Sequence, residues 1–378
     1  MNSPTIVINA YQRPKSISRL LHSLTLADIP LNTDIIFSLE YEPHPDVLEK
    51  VTSFEWAYGQ KTIIQQEKKL GLIGHFIFCG GLTRQYGNII YLEDDLFVGK
   101  SFYYYAKEVL QFYKDDNNIA GFSLNTLWFN GYLHTPFTPL DDGGASFFLQ
   151  VPWYQGQIFT AKRWQHFEEW YRQRDEMSND LLIHEDFRNY KLSDDWFPLK
   201  TQYLIENHKY YCFPRKSHCI NFGDAGTHFE KKTNFFQTEL AMGHVNYTFK
   251  SLDEALAVYD SFYELIPDRL KRMCEELKTY DFELDLNGTK DPKKVRAEYI
   301  LTSRKTQASK KSYGLEMRPQ ELNIIYNQSG KMFFLARRED VLNRNNRKKV
   351  ILDQLNYHHR NKLGKWQKIK SLLLDLIS

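Results

Sequence analysis

The sequence has few cysteines and no long apolar run. Its 378 residues include four cysteines and no Cys-x-x-Cys pair, which disfavours both a disulfide scaffold and a structural zinc site. No apolar stretch approaches the roughly 18 residues of a membrane-spanning segment. The first residues carry neither the basic region nor the apolar core of a secretory signal. We therefore expect a cytoplasmic protein.

The chain also lacks a strong excess of charge. Lys and Arg number 49 against 47 Asp and Glu, and a net charge of +2 disfavours a nucleic-acid binder. Neither Gly-x-Gly-x-x-Gly nor Gly-x-x-x-x-Gly-Lys occurs, which disfavours dinucleotide oxidoreductases and P-loop enzymes. His184-Glu185 is not a zinc-protease helix, because Arg188 stands where the second histidine would be.

What remains is the pattern of an α/β protein. The composition, 42% hydrophobic and 25% charged, is that of a globular chain. In the first hundred residues short apolar runs alternate with helical periodicity, as in a sheet flanked by helices. Thr5 to Asn9 and Asp34 to Glu40 are predicted strands, and an apolar stripe with helical spacing lies between them, formed by Ile17, Leu20, Leu21 and Leu24.

The most informative motif is a run of three carboxylates. The apolar segment from Asn88 to Leu92 predicts a strand buried on both faces, and it ends in Glu93-Asp94-Asp95. Ligands of open α/β sheets bind outside the carboxyl ends of the strands. Adjacent carboxylates there favour a hard divalent cation, Mn²⁺ or Mg²⁺, with open positions for phosphate oxygens. The alternative is an acidic turn ahead of the helix predicted from Ser101.

These segments resemble nucleotide-sugar glycosyltransferases of the GT-A fold, in particular the N-acetylglucosaminyltransferase I family and family 2-like bacterial enzymes. Thr5-Ile6-Val7-Ile8-Asn9-Ala10-Tyr11-Gln12-Arg13-Pro14 is similar to their opening, and Glu93-Asp94-Asp95-Leu96 resembles their DxD motif. Trp153-Tyr154-Gln155-Gly156-Gln157, Asp194-Asp195-Trp196 and Gly223-Asp224-Ala225-Gly226-Thr227-His228 follow in that family's order. The resemblance implies a GT-A, Rossmann-like mixed sheet flanked by helices.

The resemblance also implies roles on the donor side. Asp95 would coordinate the metal that bridges the donor's diphosphate, and His228 would complete the metal shell or face the diphosphate. Glu93 and Asp94 would hold the sugar and the ribose. The nucleotide base and phosphates would be bordered by Ala10, Tyr11, Arg13, Glu40 and Arg84. The alternatives are a structural histidine at His228 and a solvated helix end at Arg84.

On the acceptor side, transfer needs a base that takes the proton of the attacking hydroxyl. Asp195, with Asp194 beside it, is the candidate base, although the pair also suits a helix N-cap. Glu185-Asp186 is the alternative base. The acceptor-side wall would be formed by Trp153, Gln155 and Gly156, although Trp153 is equally expected in a core.

After residue 240 the pattern changes. We predict a catalytic domain over 1–240 and a mainly helical, basic extension over 241–378, with a long helix from Leu252 to Leu277. From Lys331 onward there are twelve Lys and Arg against four Asp and Glu. Near the end, lysines alternate with an apolar stripe typical of a helix on an anionic membrane face, formed by Leu363, Trp366, Ile369, Leu372 and Leu373. A helix packed on the catalytic domain is the alternative.

The sequence therefore predicts a metal-dependent, inverting hexosyl- or N-acetylhexosaminyltransferase of surface polysaccharide biosynthesis. Its donor would be a nucleoside-diphosphate sugar, and we expect a UDP-sugar. Its acceptor would be a glycan or a lipid-linked glycan. It would lie in the cytoplasm, with peripheral contact to the inner face of the membrane. The alternatives are a non-catalytic carbohydrate-binding or scaffold protein of similar fold, and a sugar-phosphate nucleotidyltransferase. The latter would need a glycine-rich phosphate loop after the first strand, where this chain has Ala10 to Pro14.

Overall fold

The structure is a computed structural model, and it describes residues 3–133, 135–174, 177–188, 195–225, 231–234, 236–244 and 246–342. The described residues fall into two compact units. The first comprises those of Met1–Leu127 and Asp141–Ser261, and the second those of Trp128–Leu140 and Phe262–Ser378. This division does not coincide with the boundary predicted between residues 240 and 241.

The described residues form short strands and helices throughout. The strands are β1 Thr5–Ala10, β2 Ile35–Leu39, β3 Lys61–Gln65, β4 Asn88–Glu93, β5 Leu96–Val98, β6 Ile119–Ser123, β7 Phe129–Asn130, β8 Thr135–Pro136, β9 Ser146–Leu149, β10 Gln157–Thr160, β11 Tyr210–Pro214, β12 Cys219–Asn221, β13 Val258–Tyr259, β14 Phe282–Asp285, β15 Tyr299–Thr302, β16 Lys311–Tyr313 and β17 Phe333–Arg337. The helices are α1 Pro14–Leu26, α2 Pro45–Ser53, α3 Gly71–Gly81, α4 Thr83–Tyr86, α5 Phe102–Phe112, α6 Ala161–Gln173, α7 Glu185–Arg188, α8 Trp196–Glu206, α9 Pro267–Met273 and α10 Leu322–Ile325, with 3₁₀ turns at Glu275–Leu277 and Arg338–Asp340.

The first unit is built on a nine-stranded mixed sheet, in the order β13-β9-β11-β6-β10-β4-β1-β2-β3. Strands β3, β2, β1 and β4 are parallel. The chain thus crosses from one side of β1 to the other, which is the switch point where doubly wound sheets open a ligand crevice. The predicted α/β class, a mixed sheet flanked by helices, is confirmed.

The core follows the periodicities of the sequence. In β1, Ile6, Val7 and Ile8 are fully buried, and Ile89 to Leu92 of β4 are equally buried, as expected of strands covered on both faces. The stripe of α1 packs its apolar side chains inward, and Ile17, Leu20 and Leu24 are completely buried. These contacts fix the end of β1 beside the end of β4.

The second unit differs from the prediction of a mainly helical extension. Its described part contains a four-stranded sheet, β14-β15-β17-β16, with two short helices, so that prediction is wrong for these residues. The long helix predicted over Leu252 to Leu277 is wrong as well. A proline has no N–H to continue a helix, and Pro267 instead starts α9. The basic helix predicted around Trp366 lies outside the described residues.

Two smaller expectations concern the whole chain. Among the described residues, no helix has the length and apolar character needed to cross a bilayer. The four cysteines, Cys79, Cys212, Cys219 and Cys274, are buried free thiols.

Candidate functional site

The acidic cluster, defined as Glu93, Asp94 and Asp95, lies at the switch point of the large sheet. Glu93 is the last residue of β4 and pairs in register with Asn9, the penultimate residue of β1. The Tyr91 hydroxyl accepts a hydrogen bond from Asn9 Nδ2 at 3.0 Å and lies 3.5 Å from Glu93 Oε1. The cluster therefore follows the carboxyl ends of both strands, where the sequence predicted it.

Arg13, in the loop between β1 and α1, binds the cluster. Its Nη2 lies 2.5 Å from Asp94 Oδ1, and its Nη1 donates to Asp95 Oδ2 at 2.7 Å. The Tyr11 amide approaches Asp94 Oδ2 at 3.4 Å. One guanidinium thus spans two carboxylates, and the predicted donor-side residues Tyr11 and Arg13 meet Asp94 and Asp95.

Burial and crowding shift the proton affinity of the cluster. Burial raises the pKa of Glu93 to about 8, with a further contribution from the charge of Asp95. Burial also raises the pKa of Asp94 to about 6, although Arg13 opposes that shift. Burial on its own would lower the pKa of Arg13, but the charges of the cluster, that of Asp95 foremost, hold it above its usual value. Burial and the neighbouring carboxylates thus disfavour the ionised forms of Glu93 and Asp94, and a bound cation would favour them.

Asp195 faces the same region from α8. Its charge is one of those that raise the pKa of Glu93, which puts the two carboxylates within electrostatic reach. As N-cap of α8, Asp195 accepts a hydrogen bond through Oδ1 from the Phe197 amide at 3.0 Å. Its Oδ2 accepts one from the Tyr154 hydroxyl at 2.5 Å. The N-cap alternative is therefore correct, and it is compatible with a second role for the same carboxylate.

Aromatic stacking explains why the start of α8 lies over this end of the sheet. Trp196, the first residue of α8, stacks on Phe76 of α3 with ring centres 4.3 Å apart and planes 7° apart. Phe76 in turn meets Tyr91 of β4 edge-on at 5.7 Å. Tyr154 stacks on Phe197 at 4.8 Å. Rings of this kind fix position through both area and geometry.

The residues of the predicted acceptor-side wall are buried. Trp153 and Gln155 are each 5% exposed, and Gly156 is buried. The Trp153 indole donates to Asn125 Oδ1 at 3.0 Å, so this ring is held in the core. Gly156 has φ +72°, and a Cβ there would lie 2.7 Å from Cys219 Sγ, which explains the glycine by local packing. The predicted acceptor-side role of these three residues stays a prediction.

Tyr154, the neighbour of these residues, is the one that sequence reasoning missed. It is half-buried and hydrogen-bonds to Asp195. No local sequence signal identifies it, because its partner Asp195 lies 41 positions further along the chain.

Two other predicted residues have internal partners. The Glu40 carboxylate, at the end of β2, accepts hydrogen bonds from the amides of Tyr41, Leu70 and Gly71, so it holds the start of α3. Its predicted contact with a nucleotide base stays a prediction. Ala10 is 2% exposed and its carbonyl accepts a hydrogen bond from the Glu40 amide, and its predicted place beside the base also stays a prediction.

Arg84 is not brought to the acidic cluster. It lies in α4, ahead of the first residue of β4, and pairs with Glu168 of α6. At a strand rise of about 3.3 Å per residue, the start of β4 lies roughly 17 Å from Glu93, at the opposite edge of the sheet. The helix-end alternative is the correct one.

A further residue of the predicted motifs, Asp224, is tied to α1. It forms an ion pair with Arg19 and accepts a hydrogen bond from Ser16 Oγ at 2.8 Å. The segment after β12 is thereby held against the helix that Arg13 precedes. The other motif residues, Asp194 and His228, lie outside the described residues. The alternative base, Glu185-Asp186, is exposed on α7.

The site offers few side chains that could bind a metal ion. Within the described ranges, no group of three or more His, Cys, Asp or Glu side chains has the geometry of a metal site. Asp95 Oδ1, however, is buried and has no hydrogen-bond partner among the described residues. Such an oxygen fits a hard cation that takes its remaining ligands from a diphosphate and water.

No family model and no curated protein matches the sequence. Solved structures similar to this chain include residues 1–349 of S. aureus TarS in complex with UDP, with 14% identity over 58% of this chain and 60% of that one, and a TM-score of 0.36. The mannosyltransferase PcManGT from Pyrobaculum calidifontis, in complex with GDP-Man and Mn²⁺, is 11% identical over 44% and 46% of the two chains, with a TM-score of 0.33. GalNAc-T7 with UDP, GalNAc and Mn²⁺ is 12% identical over 57% and 42%, with a TM-score of 0.37. The chain spans less than two thirds of the length of each of them.

Proposed function

We propose that the protein is a metal-dependent glycosyltransferase that moves a sugar from a nucleoside-diphosphate sugar to a glycan or lipid-linked glycan. The observation that carries this proposal is the acidic cluster at the switch point of the sheet, where Arg13 spans Asp94 and Asp95. A group of buried carboxylates next to a guanidinium suits a ligand that contains both a cation and an anion. A metal-bound diphosphate is such a ligand.

The residues present fit a divalent metal. Asp95 offers a buried oxygen without a hydrogen-bond partner among the described residues, and carboxylate oxygen is the ligand that Mn²⁺ and Mg²⁺ prefer. When bound, the metal would neutralise the charge that develops on the leaving diphosphate. On the donor side Arg13 would bind phosphate oxygens, while Glu93 and Asp94 would hold sugar and ribose hydroxyls.

Asp195 would act as the base. Its two hydrogen bonds, from the Phe197 amide and the Tyr154 hydroxyl, are made to carboxylate oxygens and fix their direction. A carboxylate within electrostatic reach of the cluster can take the proton of an acceptor hydroxyl that attacks the sugar from the side opposite the diphosphate. Direct attack of this kind inverts the anomeric centre. Tyr154, half-buried beside Asp195, would border the acceptor.

The test is sugar transfer and donor hydrolysis across a panel of UDP- and GDP-sugars, with Mn²⁺ and with a chelator. We expect activity only with the metal, and a loss of about 100-fold for Asp95→Asn because an anionic metal ligand is replaced by a neutral, weaker one. Asp115→Asn, on an 89% exposed side chain, is the matched control and should retain native activity. Equal activity with metal and with chelator would contradict the proposal. Sugar binding without turnover of any donor would favour the carbohydrate-binding alternative.

A further inference from the structure

Arg13 is the more exposed partner of the buried carboxylates Asp94 and Asp95. It belongs to the loop that joins β1 to α1, and its side chain is 35% exposed, whereas those of Asp94 and Asp95 are 3% and 13% exposed. The carboxylates are thus covered, and the group that covers them reaches solvent. Every ion pair found for these two aspartates among the described residues is made with Arg13.

The second arginine nearby is already engaged. Arg19, one turn into α1, pairs with Asp224, and its guanidinium lies 4.5 Å from the centre of the Phe222 ring. It therefore cannot replace Arg13 without leaving two partners. Among the described residues, Arg13 therefore provides the direct ion pairs to Asp94 and Asp95.

We infer that Arg13 is an internal counter-cation that occupies the place of the divalent metal until the donor arrives, and that it then transfers from Asp95 to the donor's diphosphate. This inference rests on the proposed function. Nη1 lies 2.7 Å from Asp95 Oδ2, and the unpartnered Oδ1 belongs to the same carboxylate, so a cation bound at Oδ1 would lie next to the guanidinium. Metal binding and nucleotide binding are therefore coupled.

The coupling follows from charge. A divalent ion next to an undisplaced guanidinium would be repelled, and a guanidinium displaced into water would give up two close ion pairs. A diphosphate removes both costs, because its oxygens match the planar fork of arginine and also ligate the metal. The free protein should consequently bind the metal weakly, and the metal and nucleotide together much more tightly.

The experiment measures Mn²⁺ binding to the full chain without nucleotide, from the electron paramagnetic resonance signal of free Mn²⁺. Arg13→Gln should bind Mn²⁺ at least about tenfold more tightly than the native chain, which corresponds to about 1.4 kcal/mol. The control is Lys15→Gln, because Lys15 is an exposed cation two residues further along. It removes the same charge without touching the cluster, and its affinity should stay within about twofold of native.

Addition of UDP completes the test. In the native chain UDP should raise Mn²⁺ affinity about tenfold or more, and in Arg13→Gln clearly less, since the competitor is already gone. Arg13→Lys keeps the positive charge and is the second variant if Arg13→Gln fails to fold. Without UDP, its Mn²⁺ affinity should stay near that of the native chain. GDP is titrated in parallel, and the variants are compared with the nucleotide that raises Mn²⁺ affinity more.

The outcomes separate this inference from the proposed function. If a nucleotide promotes Mn²⁺ binding but Arg13→Gln binds the metal no better than native, the counter-cation role is refuted and the transferase proposal stands. If neither nucleotide promotes Mn²⁺ binding in any variant, the proposed function itself fails. A tighter Lys15→Gln would also refute the inference, because it would show a general charge effect.

Discussion

Asp195 has a structural and a proposed chemical role, and two substitutions separate them. Asp195→Ala removes the N-cap of α8, worth about 1 kcal/mol, and the partner of the Tyr154 hydroxyl, worth about 1–2 kcal/mol. Asp195→Asn keeps both contacts, because asparagine is an equally good cap. A tyrosine hydroxyl can also accept from the new amide as readily as it donates to the old carboxylate. We expect destabilisation of about 2–3 kcal/mol for alanine and below about 1 kcal/mol for asparagine.

The asparagine variant should keep its stability but lose activity. An amide cannot take a proton at neutral pH, so Asp195→Asn should lower kcat by about 10² to 10⁴ if Asp195 is the base. Donor affinity, which depends on the acidic cluster and Arg13, should change by less than about threefold. Thermal unfolding, single-turnover transfer and titration with UDP measure the three quantities on the same preparations.

Two results would refute this reasoning. A kcat for Asp195→Asn above about one tenth of native would exclude Asp195 as the base and direct attention to Glu185-Asp186. An asparagine variant as unstable as the alanine variant would mean that the carboxylate's charge, rather than its hydrogen bonds, holds the start of α8.

The remaining predictions concern pH. Burial raises the pKa of Glu93 to about 8, so between pH 4.5 and 8 the unfolded chain loses a proton that the folded chain keeps, and native stability falls as pH rises. Glu93→Gln should match the native chain near pH 5 and exceed it at pH 8 by on the order of 2–4 kcal/mol; parallel curves of unfolding free energy would contradict this. Burial lowers the pKa of Lys200, which is 1% exposed with Nζ 4.0 Å from the centre of the Phe159 ring. Lys200→Met should therefore be at least as stable as the native chain at neutral pH. Any gain in stability should vanish as pH approaches 10.5, because the unfolded lysine then also loses its charge. A large drop in Tm for this variant would show that the ammonium group is needed.

The parts of the fold that local pattern determines were predictable. Strand β4 has a continuous apolar run followed by carboxylates, and the rule that ligands bind at carboxyl ends then placed Glu93 to Asp95 in a crevice. The same rule would have excluded Arg84, because a residue ahead of β4 must lie at the other edge of the sheet. That error came from the resemblance rather than from the pattern.

The features that the sequence did not reveal depend on contacts between residues far apart in the chain. Trp153 is drawn into the core by Asn125, 28 positions earlier, and no local feature of the tryptophan reveals that partner. Tyr154 reaches Asp195 because Trp196 stacks on Phe76, a contact that only the folded chain contains. In the second unit, short apolar segments such as those around Leu284 and Leu301 fit a helix as well as a strand. These two segments are strands because they pair with each other, which the local pattern does not show.

Two buried aspartates show why the acidic cluster is better explained by ligand binding than by stability. Asp285, in the second unit, is 1% exposed and is fully supplied with donors: Arg304 Nε at 3.0 Å, the Thr302 hydroxyl at 2.9 Å and the Lys290 amide at 2.8 Å. A carboxylate satisfied in this way is a structural element. Asp95 has one oxygen on Arg13 and the other buried without a hydrogen-bond partner among the described residues, next to two more carboxylates. Such an arrangement costs folding free energy, and a ligand that brings positive charge would recover it.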